Sequence, residues 1–293
     1  GTSAVTLDLQ EGGTYTFDQS DSSNAGHPLR FYTASDKSGG EYTTGVTTTG
    51  TAGSSGAKTV ITVAASAPTL YYQCSNHAGM GGQANTNSLF GSSNFSGSIQ
   101  STVSANTTSG FSIVSYTGVG GTNKTVGHAL GSTPQFVIIK PRSATGHWSV
   151  TNPRFVSVSD PNLLYLQLTS HEADDTNVNG DNAPSSTIFG VDDYSAVNTN
   201  GQTQIAYCMS EKKGFSKFGT YTGGSDPFVY LGFKPAWVMF KNASSAENWR
   251  IVDNKRDIDN PVVQHIFANS SSAEASGSSY SDFIDFLSNG FKI

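Results

Sequence analysis

Apolar residues in the first third of the chain alternate with polar ones at a period of two, the period of a strand with one buried face. Val5-Thr6-Leu7-Asp8-Leu9 alternates, Glu11-Gly12-Gly13 interrupts, and Thr14-Tyr15-Thr16-Phe17 resumes the rhythm. Leu29-Arg30-Phe31-Tyr32, Lys58-Thr59-Val60-Ile61-Thr62-Val63 and Leu70-Tyr71-Tyr72 add three runs rich in β-branched and aromatic residues. Such side chains fit a pleated, half-buried surface. Between the third and fourth runs, Ser35 to Gly56 is polar and turn-rich and predicts no core element. The last run leads straight into Cys74.

From Gln83 to Ser109 the residues are almost wholly Ser, Thr, Asn and Gly. Leu89, Phe90, Phe95, Ile99 and Val103 are the sizeable apolar exceptions, so 86–109 reads as a linker lying loosely on a surface. Beyond it the chain repeats itself at an offset of 101 to 105 residues. Gly110-Phe111-Ser112 recurs as Gly214-Phe215-Ser216, and Tyr116-Thr117-Gly118 as Tyr221-Thr222-Gly223. Leu130-Gly131, Pro134 and Val137 to Lys140 recur as Leu231-Gly232, Pro235 and Val238 to Lys241, and Trp148-x-Val150 as Trp249-x-Ile251. The first copy closes on a strand pattern, Thr203-Gln204-Ile205-Ala206-Tyr207-Cys208-Met209. No counterpart follows in the second copy before Ile293, which therefore reads as incomplete, its edge to be filled by further chain or by a neighbour.

Runs of helix-favouring residues are nearly absent, and the expectation is an all-β protein. Its expected parts are a sandwich domain at 1–85, the linker at 86–109, and β-sandwich repeats of about 100 residues each at 110–213 and 214–293. Trp148 and Trp249 hold equivalent repeat positions, and Trp237 sits in the apolar run Ala236-Trp237-Val238-Met239-Phe240, so all three are expected in cores.

Charged residues are 13% of the chain, the net charge is −6, and no basic cluster is present, which argues against nucleic acid as a partner. No apolar stretch reaches the roughly 18 residues of a membrane-spanning helix, so membrane insertion is not expected. The Ser/Thr/Asn/Gly-rich, lysine-poor composition suits a secreted or virion protein, and Gly1 in place of an initiator Met reads as a processed or partial product.

Chemistry concentrates in Tyr71 to Gly82. Cys74, His77 and Met80 follow one another as Cys-x2-His-x2-Met, and His27 stands upstream in Gly26-His27-Pro28. Taken singly, each is an ordinary core residue. Together, two imidazoles, a thiolate and a weak thioether form the donor set of a type-1 copper site, since soft sulfur and imidazole favour copper. With Cys74 a ligand, a disulfide to Cys208 is not expected.

An aromatic strand ending in Cys-x2-His-x2-Met, with an earlier Gly-His-Pro turn, resembles the cupredoxin-like domains, whose small blue copper members have ligand loops of this shortest kind. The resemblance implies a Greek-key β-sandwich in which His27, Cys74, His77 and Met80 bind copper. It also implies a strand before Val5–Leu9, so the domain reads as cut at Gly1. The region from Gly110 resembles a repeat domain of structural proteins of marine tailed phages. The phrases that carry this are Gly-Phe-Ser leading to Tyr-Thr-Gly, Leu-Gly-x2-Pro-x2-Val, and Ile205-Ala206-Tyr207-Cys208 followed by Glu211 and Gly214-Phe215-Ser216.

Other chemistry is weaker. Asp175-Thr176-Asn177-Val178-Asn179-Gly180-Asp181 copies the opening of a calcium loop, but Ser186 stands where a bidentate Glu is needed, so calcium is not expected. His128, His147, His171 and His265 are scattered, and no Gly-x-Ser-x-Gly elbow occurs. Asp192-Asp193, or Asp282 with Asp285, could be argued for glycoside cleavage, yet adjacent loop acids are usually only solvated.

The expectation is therefore a non-enzymatic virion protein of a tailed phage: a tail-fibre, head-fibre or decoration component with a copper site. Its partners would be other virion proteins, further copies of itself, and a host-surface glycan or protein. One alternative is an extracellular blue-copper electron-transfer protein; another is a carbohydrate-binding or carbohydrate-active β-sandwich protein.

Overall fold

A computed structural model describes residues 4–86, 91–151, 162–174, 182–224, 227–276 and 284–293. The protein is all-β, and it divides into two compact units, 1–93 and 94–293.

In the first unit, strands β1 (Leu7–Asp8), β2 (Thr14–Asp18), β3 (Leu29–Tyr32), β4 (Val46–Thr49), β5 (Lys58–Thr62), β6 (Leu70–Cys74) and β7 (Gly81–Asn85) form two sheets. One is ordered β1-β7-β6-β3 and the other β2-β5-β4. Both contribute to one core, with Leu7, Phe31, Leu70 and Ala84 from the first sheet and Ile61 from the second, flanked by Tyr15, Phe17 and Val46. The arrangement is a sandwich, as alternation predicts. Two of its strands escape the hydrophobic pattern. β4 lies inside the polar stretch 35–56, where only Val46 of Val-Thr-Thr-Thr touches the core and pairing with β5 supplies the rest. β7 is Gly-Gly-Gln-Ala-Asn, with Ala84 its one core residue.

A short strand, β8 (Ser92–Asn94), spans the junction, and the second unit begins sooner than the linker reading allows. β9 (Ser101–Asn106) is a full strand antiparallel to β10 (Phe111–Thr117), and Ile99 and Val103 are buried in a core. Residues 101–106 are thus sheet and not linker. A few apolar residues at alternate positions suffice when the strand lies on an existing core, and the many Ser, Thr and Asn residues around them mask that alternation.

Further along come β11 (Lys124–Gly127), β12 (Phe136–Pro141), β13 (Ser149–Thr151), β14 (Asn162–Tyr165), β15 (Ala173–Asp174), β16 (Ile188–Val191), the one-turn helix α1 (Ser195–Asn198) and β17 (Thr203–Met209). The main sheet carries these strands in the order β15-β14-β13-β12-β17-β10-β9. Its centre is β17, paired antiparallel with β10 on one side and β12 on the other. The antiparallel pair β11–β16 contributes Val126 and Phe189 to one core with Val114, Val137, Ile139, Ala206 and Cys208.

The second repeat builds β18 (Phe228–Tyr230), β19 (Trp237–Phe240), β20 (Arg250–Asp253), β21 (Gln264–Phe267), β22 (Ala275–Ser276), β23 (Asp285–Leu287) and β24 (Gly290–Lys292). Its sheet β19-β20-β21-β22 reproduces β12-β13-β14-β15, and β18 paired with β24 reproduces β11 with β16. Both repeats lie in one compact unit. Equivalent positions meet where they touch: Ile138 and Val150 of the first repeat cluster with Trp249 and Met239 of the second, and Trp148 joins them. The Trp249 indole N–H donates to the carbonyl of Tyr165 at 2.9 Å. β12 is consequently covered on both faces, which accounts for its unbroken Phe-Val-Ile-Ile run. Trp249 is core as expected and Trp148 is half-buried, but Trp237 is 54% exposed, a correction to its expected burial. It stands on the end strand of its sheet.

His128 is fully buried; its Nδ1 accepts from the Leu130 N–H at 3.1 Å and its Nε2 lies 3.2 Å from the Ser185 carbonyl, which fixes a neutral ring with the proton on Nε2. Burial holds its pKa below the ordinary 6.5. A base depressed in the folded state leaves the unfolded chain binding more protons as pH falls below that ordinary value, so stability is lost on acidification. The thermal midpoint of the second unit should drop between pH 7 and pH 5 with up to about 1.4 kcal/mol per pH unit from this one ring. His128→Asn should flatten that slope, as thermal melts across the pH range would show.

Candidate metal centre

Three main-chain constraints bring His27, Cys74 and His77 together. The first is the antiparallel register of β3 against β6, which sets Leu29 opposite Cys74 and so carries His27, two residues earlier, to the end of β6. The second closes the loop between β6 and β7: the Cys74 N–H donates to the Met80 carbonyl at 2.8 Å, and Gln73 pairs with Gly81. A side chain at Gly81 would put its Cβ 1.8 Å from the Tyr72 carbonyl oxygen, so only glycine lets the two strands close immediately after Met80. The third ties the loop to the His27 turn. The Ser75 N–H donates to the Pro28 carbonyl at 2.9 Å, and the Asn76 side-chain amide donates to the Gly26 carbonyl at 2.9 Å.

The resulting donor geometry is tight. Cys74 Sγ lies 3.4 Å from His77 Nδ1 and 3.7 Å from His27 Nδ1, and the two rings sit 4.6 Å apart between centroids. All three donor atoms can be found within 4.8 Å of one another. Ligand bonds of about 2.0–2.3 Å spread at angles of about 110–120° would separate donors by about 3.4–3.7 Å. The sulfur–nitrogen distances meet that condition, so the residues fit a metal ion. Cys74 is buried, His27 half-buried and His77 exposed, which puts one imidazole at the surface. Met80 contributes its carbonyl to the closing hydrogen bond, and the residue is 46% exposed. Copper is the metal that best suits two imidazoles and a thiolate, and bound there it would supply one-electron chemistry or structural cross-linking.

Lys37 is the contributor that motif reading missed. Its ammonium donates to the carbonyls of Cys74 at 2.6 Å, Ser75 at 3.1 Å and His77 at 3.1 Å, while lying 5.6 Å from the Tyr32 ring centroid. One cation thereby satisfies three carbonyls of the ligand loop. Gln73 braces the same neighbourhood by donating to the Ser35 carbonyl. The available signal was faint: a lysine in the turn Asp36-Lys37-Ser38-Gly39-Gly40, held at φ +65°. Nothing in a linear spacing connects it to a loop some forty residues away.

Among the described residues, no second group of three or more His, Cys, Asp or Glu side chains is placed to hold a metal ion. Asp192 is buried, and its carboxylate accepts from the N–H groups of Asn123 and Asp193, so it fixes a turn. Asp282 and the calcium-like stretch Asp175–Asp181 lie outside the described residues. His147 contacts Gln167 and Tyr165, and His265 Nδ1 lies 3.1 Å from the Val263 carbonyl, each in a local structural setting. Cys208 is fully buried, and burial pushes its thiol far up. It and Cys74 are both free thiols. Trp148 stacks on Tyr207 at 6.4 Å and 14°, which leaves less of its face for a sugar ring.

Fold and site thus define an all-β protein with a two-histidine, one-cysteine donor cluster. Residues 83–293 match a family model described as a domain of unknown function (DUF7483), and the chain belongs to that family. The matched span starts after Met80, so the donor cluster lies outside it. No curated protein and no solved structure matches the chain.

One equivalent of Cu(II) added to the chain should produce an intense visible band from thiolate-to-copper charge transfer, absent in Cys74→Ala. Lys37→Met removes three charge-assisted hydrogen bonds while keeping the side chain's length. It should weaken copper binding by about 10–100-fold, the range for residues that orient ligands, in a competition titration against a chelator.

Proposed function

We propose that the chain is a structural component of a tailed-phage particle whose first unit holds a copper ion as a permanent fitting. The observation that carries the metal half of this reading is the 3.4 and 3.7 Å spacing of Cys74 Sγ from the two imidazole Nδ1 atoms. The virion half draws support from the sequence likeness of the repeats to those of phage structural proteins and from an architecture of stacked sheets. A metal bound only by the native state stabilises it in proportion to the logarithm of free metal over Kd. Copper held by His27, Cys74 and His77 would cross-link the turn before β3 to the end of β6 and the loop after it in this way, without turnover. Partners on this reading are other particle proteins and further copies of the chain, with a host-surface glycan or protein at the attachment step.

Electron transfer is the second reading, favoured by the exposed imidazole of His77, which would give a bound ion a short route to the surface. Two measurements separate the readings. Mass spectrometry of purified phage particles should find the chain in fixed stoichiometry with the other structural proteins. Recovery of the chain only as a free soluble protein would overturn the assignment. Copper should also raise the thermal midpoint of the first unit, by an amount that grows with metal concentration. A fast reversible redox couple with no gain in stability would favour the electron-transfer reading instead.

A further inference from the structure

A pocket of about 240 Å³ opens in the first unit, lined by Arg30 of β3, by the hairpin of β4 and β5, and by Gln19 just after β2. It is smaller than the clefts that hold drug-sized ligands, so its occupant is small. The lining includes two cations, Arg30 and Lys58, and no carboxylate.

Gln19 is fixed on every side but one. Its N–H donates to the Ala57 carbonyl at 2.9 Å, and its carbonyl accepts from the Gly53 N–H at 2.8 Å. Gly53 is itself pressed on the turn before His27, since a Cβ there would lie 2.7 Å from the Ala25 backbone. The side-chain Oε1 accepts from the Leu29 N–H at 2.6 Å. That bond decides which end of the amide is nitrogen. Nε2 is left without an acceptor among the described residues, although Gln19 is only 7% exposed. A donor so buried has given up most of its water and gained nothing in return, which native proteins rarely leave uncorrected. An acceptor in the pocket would correct it.

The charges point the same way. Arg30 Nη1 donates to the Leu29 carbonyl at 2.8 Å, and the Thr59 hydroxyl donates to that same carbonyl at 3.0 Å, so the guanidinium is held against the pocket wall. Glu41 approaches only its Nε, at 3.4 Å. Asp18, opposite Lys58 on β2, accepts from the Ser20 N–H at 2.8 Å. Two cations against one loosely paired carboxylate leave room for about one negative charge.

We propose that this pocket binds a single oxyanion group, a carboxylate or a sulfate on a small body. Gln19 Nε2 and the Arg30 guanidinium donate to it, and Lys58 balances its charge. None of the three is among the metal donors, so the site stands apart from that cluster. Two sources carry such a group: a free small acid and the terminal acidic sugar of a glycan.

The probes are glucuronate and a glucose sulfate ester, with glucose as the neutral control, titrated into the 293-residue chain in a calorimeter. Both anions should bind saturably, glucose should not, and the Gln19 side-chain amide should shift in NMR spectra as they bind. Lys58→Gln, at an exposed position, should weaken binding about two- to fivefold, as for an exposed ion pair, and flatten its salt dependence. Gln19→Glu keeps an acceptor for the Leu29 N–H but sets a negative charge against the anion, and should weaken binding at least about tenfold. If that variant fails to fold, Lys58→Gln still carries the test. An oligoglucuronate that binds as well as the monomer or better would make a glycan the source, and one that fails to compete would make it a free acid; either upholds the pocket. Equal binding of glucose, no binding of either anion at millimolar concentration, or affinities unchanged in both variants would overturn the proposal. So would anion binding that vanishes when copper is chelated, because the metal would then be the anion's partner.

Discussion

Leu29–Tyr32 runs antiparallel to Leu70–Cys74 with Leu29 opposite Cys74, and that alignment decides whether His27, Cys74 and His77 come together at all. Side chains alternate across a sheet, so a slip of one residue would turn Cys74 away from the His27 turn and Phe31 out of the core together. The hydrophobic pattern that buries Phe31 and Leu70 therefore also aims the thiol. Stability and site depend on the same register. The loop bonds from Ser75, Asn76 and Lys37 then hold an arrangement that the sheet has already chosen.

The same need for main-chain partners explains the contrast between the two repeats. Where β17 is present, β10 and β12 become inner strands and their apolar residues are sealed. Where β17 has no equivalent among the described residues, the corresponding segment 215–222 forms no strand, and Phe215 and Tyr221 meet solvent. Local propensity differs as well, Ile113-Val114-Ser115 standing against Lys217-Phe218-Gly219-Thr220, and a strand is stable when its polar backbone groups find partners. The two repeats pack through equivalent faces at Ile138, Val150, Met239 and Trp249, which gives the second copy a firm base despite its open edge.

These features describe a protein made of paired edges, with a two-histidine, one-cysteine cluster at one sheet terminus. The burial of Asp192 in a turn and the structural settings of His128 and His265 fit a chain whose polar interior serves the fold.

Alternation and turn residues were enough to indicate all-β structure, the strands of the first unit and the repeat beyond it, because burying one face imposes a period of two on the sequence itself. Cys74 and His77 were legible as a pair because a short loop sets their spacing, whereas His27 joins them only through the register of β3 on β6. What the sequence could not reveal depended on residues far apart in the chain. Ser101–Asn106 becomes a strand through β10, Val46–Thr49 through β5, and Gly81–Asn85 through β6, each with few apolar residues of its own. Trp237 reads as core and is exposed, since its burial would need a neighbour along β19. Lys37 joins the ligand loop from some forty residues away. Periodicity records which face of a segment is buried; only the tertiary structure decides which segment lies beside it, because edge pairing is made by backbone groups that every residue carries alike.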